Sequence, residues 1–223
     1  MPPQVHNVVI TTHARRLLPL DHIAANSVNA NYDRTRFAAV IMRCHDPFTT
    51  ALFFNTGKIV CTGAKSIDSA HKALGKFVGL LRKIGVSCDP APFVVENIVG
   101  ASGFRTKRFR VRLDRIAQIE SSVEYEPELF PGLTRRVRLP DGTTSVVVVF
   151  ASGKMILTGN RRMVNLSHVF RFVRGWLPDY AELAHQVSTD LKRTRVASID
   201  LDGRGGLVRT PRVRIKRAHA ADD

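Results

Sequence analysis

Basic side chains recur in pairs at matched places in this chain. Lys58 follows Gly57 and Lys154 follows Gly153, while Arg43 stands six residues after Phe37 and Arg136 six residues after Phe130. Cations bordering apolar strand residues suit one chemistry: phosphate neutralisation beside a surface that meets sugar edges, as in a DNA minor groove. Catalysis has little to draw on. The eight histidines are scattered without His-x-x-x-His spacing, and acids pair conspicuously only at Glu126 and Glu128. Three cysteines (Cys44, Cys61, Cys88) with no Cys-x-x-Cys predict neither a disulfide nor a cysteine zinc site. The chain is expected not to be an enzyme.

Charge points the same way. A net charge of +15 and a pI near 10.7 favour an anionic partner, nucleic acid first and membrane surface second. Residues 181–223 hold nine Lys/Arg and six Asp/Glu, a net of +3, so +12 belongs to the preceding residues. Basicity is therefore expected of the folded body. No signal peptide and no apolar run approaching 18 residues is present, which reads as a soluble intracellular protein.

The paired bases sit inside a longer duplication. Phe54-Asn-Thr-Gly57-Lys58-Ile-Val-Cys-Thr62-Gly63-Ala-Lys65 returns as Phe150-Ala-Ser-Gly153-Lys154-Met-Ile-Leu-Thr158-Gly159-Asn-Arg161, 96 residues later. Phe37 and Phe130 lie 93 apart, and Asn7-Val-Val and Asn97-Ile-Val lie 90 apart. The offset grows twice by three, so insertions fall in loops, the second in the turn at Pro140-Asp141-Gly142. Residues 1–92 and 93–180 read as two repeats, and 181–223 as a basic C-terminal extension.

The elements that position these residues can be read in order. Residues 5–12 predict a strand and 20–29 a short helix capped by Asp21. Strands follow at 37–43, 49–54 and 59–62, with Asp46-Pro47 and Gly57-Lys58 as turns and Gly63 as a strand end. Ile67, Ala70, Leu74, Phe77, Val78 and Leu81 have helical spacing, and Gly85 stops that helix. The second half predicts strands at 93–100, 133–139, 145–150 and 155–158, a basic segment at 102–115, and a helix over 162–177. Each half is thus α/β (α+β), a curved antiparallel sheet with a long helix on one face. Yet Val146–Val149 and Ala38–Met42 are apolar at consecutive positions, where a sheet covered on one side should alternate. Something must meet the other face: another domain, a dimer partner, or DNA.

Several blocks carry a family resemblance over residues 5–178. Arg36-Phe37-Ala-Ala-Val-Ile-Met-Arg43, Phe54-x-x-Gly57-Lys58 through Thr62-Gly63-Ala64-Lys65, Asn97-Ile-Val-Gly100, Tyr125-Glu126-Pro-Glu128-Leu129-Phe130-Pro-Gly-Leu133 and Ser152-Gly153-Lys154 resemble the TATA-box-binding protein family. The resemblance implies a two-repeat, pseudo-symmetric saddle with helices on the convex face. It implies a general initiation factor that binds an A·T-rich promoter element in the minor groove and nucleates the preinitiation complex. Phe37 with Phe54, and Phe130 with Phe150, would be wedges between base steps; kinking by such wedges is a property carried over from the family. Asn7 and Asn97 would bond central base pairs. Val9, Val99, Leu52, Val60, Thr62, Val148, Ile156 and Thr158 would pack on base and sugar edges. Arg43, Lys58, Lys65, Arg136, Lys154 and Arg161 would contact phosphates. Glu126, Glu128 and Leu129 match the stirrup that binds transcription factor IIB. The implied partners are double-stranded DNA, IIB-like and IIA-like factors and the RNA polymerase machinery, with no cofactor, metal or membrane. The implied site of action is the nucleus, or the viral replication compartment if the source is a large DNA virus.

Departures bear on partner choice. Cys44-His45-Asp46-Pro47-Phe48 has lost a base and gained an exposed-looking Phe48. Residues 134–145 are lengthened in what reads as the second stirrup, adjacent to the Glu126–Leu129 patch. Leu207–Arg217 alternates basic and apolar residues beyond a Gly203–Gly206 joint, and suits a hairpin edge, a DNA-contacting arm or an import signal. A saddle kept as an architectural minor-groove binder without TATA preference is the alternative reading.

Overall fold

The computed structural model describes residues 2–103, 109–177 and 181–183, all within one compact unit. The first half runs β1 (Gln4–His13), α1 (Leu20–Ala25), β2 (Ala30–Asn31), β3 (Ala39–His45), β4 (Phe48–Phe54), β5 (Lys58–Ala64) and α2 (Ile67–Lys83). The second runs β6 (Val94–Gly103), β7 (Phe109–Val111), α3 (Leu113–Ile119), β8 (Val123–Glu124), β9 (Gly132–Arg138), β10 (Thr144–Phe150), β11 (Lys154–Asn160) and α4 (Met163–Trp176), followed by β12 (Ala181–Leu183). Ten strands form one curved antiparallel sheet in the order β2-β3-β4-β5-β1-β6-β11-β10-β9-β8. Read outward from the β1–β6 pair, the order is the same in both directions. The strands β7 and β12 make a separate two-stranded ribbon.

Alternation decides which side each residue serves. In β10, Ser145, Val147 and Val149 are buried while Val146, Val148 and Phe150 are half-buried; β4 divides Thr49, Ala51 and Phe53 from Thr50, Leu52 and Phe54 in the same way. The buried set packs under the helices. Helix α2 supplies Ala70, Ala73, Leu74, Phe77, Val78 and Leu81, and α4 supplies Leu166, Val169 and Val173. Phe53 meets Phe77 edge-on with ring centres 6.2 Å apart. The half-buried set faces away from the helices, as the consecutive apolar runs require.

Local signals account for the helix ends. Ser66 Oγ accepts the Ser69 N–H at 3.0 Å at the start of α2. At its end Gly85 adopts φ +79°, its N–H reaching Arg82 O at 3.0 Å and that of Val86 reaching Leu81 O at 2.9 Å. These two hydrogen bonds around a left-handed glycine make a Schellman stop where the sequence predicts the helix to end.

Four expectations are corrected. Helix α1 ends at Ala25, and Asp21 is no cap: Pro19 holds that place, and the Asp21 carboxylate takes Arg34 Nη2 at 2.6 Å from the first turn. The basic stretch 102–115 contains the start of a helix, because Leu113-Asp-Arg-Ile116-Ala repeats Leu20-Asp-His-Ile23-Ala at the same 93-residue offset. Gly63 and Gly159 do not end strands; they lie within β5 and β11 at φ +97° and +79°. Lastly, the lengthened β9–β10 loop and the Glu126–Leu129 patch flank opposite ends of β9, about 20 Å of strand apart. Residues 104–108 of the basic segment, and Gly203–Gly206 and Leu207–Arg217 of the extension, lie outside the described residues.

Candidate nucleic-acid interface

The open face is assembled by register. Across the sheet centre Asn7 pairs with Val99 and Val9 with Asn97, the same two residue types exchanged between β1 and β6. To one side Thr11, Val60, Leu52 and Ile41 form a row; to the other Ala101, Ile156, Val148 and Thr134 form its counterpart. A second pair of rows joins Thr62 to Thr50 and Thr158 to Val146. All ten positions predicted for base and sugar edges are therefore brought to one face. Ile41, Thr50, Thr11, Thr134, Val146 and Ala101 belong there as well and escaped sequence reasoning. Extending period two from the residues already found would have reached them.

The four phenylalanines close the two ends. Phe37 and Phe54 have ring centres 6.1 Å apart at 68°, and Phe130 and Phe150 are 5.9 Å apart at 65°. Phe37 and Phe130 are 42% and 47% exposed, far from the core burial of Phe53 or Phe77. Each pair stands where a β4–β5 or β10–β11 turn begins, with Gly57 and Gly153 donating back to Phe54 O and Phe150 O at 3.0 and 2.8 Å. Gly132 leaves room for one ring: a Cβ there would lie 2.6 Å from Phe130 Cε1 and 2.8 Å from Val148 Cγ1.

The bases frame this face. Arg43 and Arg136 share the strand parity of Ile41 and Thr134, and Lys58 and Lys154 that of Val60 and Ile156; all four are exposed. Lys65 and Arg161 follow β5 and β11 and are exposed too. Two of the six have acidic neighbours, Arg136 beside Glu124 at 3.5 Å and Arg161 beside Glu96 at 3.7 Å. Exposed pairs of this kind are worth about 1 kcal/mol or less, so a phosphate can replace the carboxylate. Glu126, Glu128 and Leu129 lie in the exposed turn that precedes Phe130, with Leu129 81% exposed.

Both asparagines are held by the main chain. Asn7 Oδ1 accepts the Gly63 N–H at 2.7 Å and the Thr62 hydroxyl at 3.2 Å. Asn97 Oδ1 accepts the Gly159 N–H at 2.9 Å, and its Nδ2 donates to Thr158 Oγ1 at 3.0 Å. Among the described residues no cluster of three His, Cys, Asp or Glu could hold a metal ion. Burial pushes the Cys61 thiol up to about 11, so it stays protonated and unreactive at neutral pH. No described helix is long and apolar enough to cross a membrane.

The chain is similar to known proteins in both sequence and fold. The chain matches the family described as "Transcription factor TFIID (or TATA-binding protein, TBP)" over residues 2–84 and 92–179. It is 38% identical over 179 residues to the TATA-box-binding protein of Tetrahymena thermophila, covering 80% of this chain and 70% of that one. It is 41% identical over 169 residues to that of Acetabularia peniculus, covering 75% and 85%. The solved structure of Methanococcus jannaschii TBP superposes with a TM-score of 0.69 at 29% identity, covering 80% of this chain and 99% of that one. With the family matched across both halves and relatives about 40% identical over most of their length, the chain belongs to the TATA-binding protein family.

Proposed function

We propose that this protein is a general transcription initiation factor of the nucleus. It binds an A·T-rich, TATA-type promoter element in the minor groove, bends it and nucleates assembly of the initiation machinery. The observation that carries this reading is the open sheet face. It is apolar along its rows, closed at both ends by half-exposed phenylalanine pairs and framed by cations, on a chain of this family.

The two repeats, residues 1–92 and 93–180, would each read half of the element. The rows through Leu52 and Val60, and through Val148 and Ile156, lie against sugar and base edges. Phe37 with Phe54 and Phe130 with Phe150 enter base steps at the two ends. Unstacking costs a few kcal/mol per step, offset by apolar burial and by counterions released from phosphates. Six phosphate contacts, through Arg43, Lys58, Lys65, Arg136, Lys154 and Arg161, correspond to a log–log salt slope of about −5. Glu126, Glu128 and Leu129 form an acidic and apolar knob on a basic protein, suited to a IIB-like partner. A IIA-like factor is the further partner of this reading. The chemistry is binding and deformation, without a catalytic step.

A bend-reporting titration tests this. End-labelled duplexes carrying a TATA-type element or a G·C-rich control are compared at two salt concentrations. Tight, bent binding of the first alone is expected. Equal, steeply salt-dependent binding without bending would replace the reading with a nonspecific clamp.

A further inference from the structure

We infer that Gly63 and Gly159, which would touch no base themselves, are positioning residues that make Asn7 and Asn97 donor-only readers of the groove. The inference rests on the minor-groove reading above and assigns its rejection of G·C pairs at the centre to two backbone amides.

A carboxamide is chemically ambivalent: one end accepts and the other donates, and either could face a ligand. In an undisturbed ladder the strand amides are consumed by the neighbouring strand. Here both ladders are interrupted. Val8 pairs with Ala64 and Ile10 with Cys61, so Thr62 and Gly63 together oppose Val9 alone. In the other half Leu157 pairs with Gly100 and Asn160 with Ile98, so Thr158 and Gly159 oppose Val99. Each bulge turns one amide away from the ladder and onto an asparagine oxygen, at 2.7 Å for Asn7 and 2.9 Å for Asn97.

A main-chain N–H can only donate. Turning either carboxamide by half a revolution would set NH2 against N–H, losing one bond and opposing two donors. The oxygen end is thereby pinned, and amino hydrogen is left for the open face; in Asn97 that is one of the two, the other bonding Thr158 Oγ1 at 3.0 Å. An A·T pair of either orientation shows only acceptors in the minor groove, whereas G·C adds the guanine amino donor. A freely turning asparagine could offer its oxygen to that amino group; a pinned one cannot.

Both bulges require glycine. The φ values of +97° and +79° are strained for any other residue. A Cβ at Gly63 would also lie 3.2 Å from Phe48 O, and one at Gly159 would lie 3.0 Å from Thr144 O.

The test uses three TATA-type duplexes that differ only at the central pairs: A·T, G·C, or inosine·C, which shows acceptors without the amino group. Affinities are read by fluorescence anisotropy with full-length protein. The wild type is expected to bind A·T and inosine·C within about threefold of each other and G·C at least about tenfold more weakly. In Gly159→Ala all three affinities fall, and the gap between inosine·C and G·C closes to about threefold or less. A general loss of fold lowers all three together, so a gap that stays tenfold overturns the inference while leaving the minor-groove reading intact. A wild type that does not separate inosine·C from G·C takes down both. Should Gly159→Ala fail to fold, the wild-type protein still decides. A scalar coupling across the hydrogen bond, from Gly159 15N to Asn97 13Cγ, is expected, and its absence overturns the pin.

Discussion

The β3–β4 hairpin closes with two residues, Asp46-Pro47, and the β9–β10 hairpin with five, residues 139–143. Both tips are tied to the long helix of their own half, by different chemistry. Lys76 on α2 reaches the main-chain oxygen of Asp46 and its carboxylate, the latter at 3.1 Å; Asn165 on α4 donates to Asp141 at 2.8 Å. The helix side diverges further inward. Met42 is fully buried in β3, whereas its counterpart Arg135 lies over Trp176 and Phe172, 4.4 and 5.0 Å from their ring centres, and 3.4 Å from Glu120. The open face behaves otherwise. At its centre and its two ends, Asn7 and Asn97, Val9 and Val99, Thr62 and Thr158, and both phenylalanine pairs keep residue type, although Thr11, Ile41 and Thr50 between them answer to Ala101, Thr134 and Val146. Matched halves suit a ligand that looks alike from both directions, and the acceptors of an A·T minor groove do. The helix side packs against elements that differ between the halves, and its residues differ with them.

The largest test of that contrast is at the wedges. Phe54→Ala, Phe130→Ala and Phe150→Ala should each weaken DNA binding about tenfold or more and reduce the bend, since each removes part of an interaction worth a few kcal/mol. Phe48→Ala, on a ring that is 75% exposed at the first tip, should stay within about twofold. Equal losses from all four would sink the wedge assignment.

Next comes a difference between the ends. The first half carries Ala39 where the second has Gly132. In Gly132→Ala the new methyl must displace the half-exposed Phe130 ring. DNA affinity should fall roughly threefold to tenfold while Tm, read by calorimetry, moves by only a few degrees. A large Tm loss at unchanged affinity would show that Gly132 serves packing alone.

Smaller still is the charge frame. Lys58→Ala and Lys154→Ala should each flatten the salt dependence of binding by about one in slope. Arg161→Ala should do less, because Glu96 already neutralises part of that charge. Identical slopes for all three would mean the ion pair opens without cost.

The smallest effect is at the second tip. The Thr143 hydroxyl, Asn165 and the Thr143 amide hold the Asp141 carboxyl down to about 2. A depressed carboxylate stabilises the fold above its ordinary value and loses that contribution as pH falls toward 2. Asp141→Ala should therefore melt slightly below the wild type above pH ~4, by about 2 °C or less, with the gap closing between pH ~4 and ~2. A gap that persists at pH ~2 would assign the effect to loop packing.

Much of the fold is legible because its signals are local. The Gly57 and Gly153 turns and the Gly85 stop each depend on residues within a few positions, whereas the division of β10 between two faces is hidden in a run of four valines. The short α3 was legible too, through its offset from α1, but the arginines before it masked the pattern. The residues expected at base edges came from family blocks, and the register then supplied six neighbours on the same face.

By itself the sequence determined the duplication, the turns, the helix faces and an apolar surface in need of a partner. These follow from spacing and side-chain type, which no distant contact alters. Tertiary structure decided that β1 and β6 join both halves into one sheet. It decided that Gly63 and Gly159 are bulges rather than ends. It also decided which end of each asparagine is pinned. Each of these depends on groups far apart along the chain, such as Asn7 and Gly63, 56 positions apart, and Asn97 and Gly159, 62 positions apart. A hydrogen bond across that separation exists only once the sheet has closed around it.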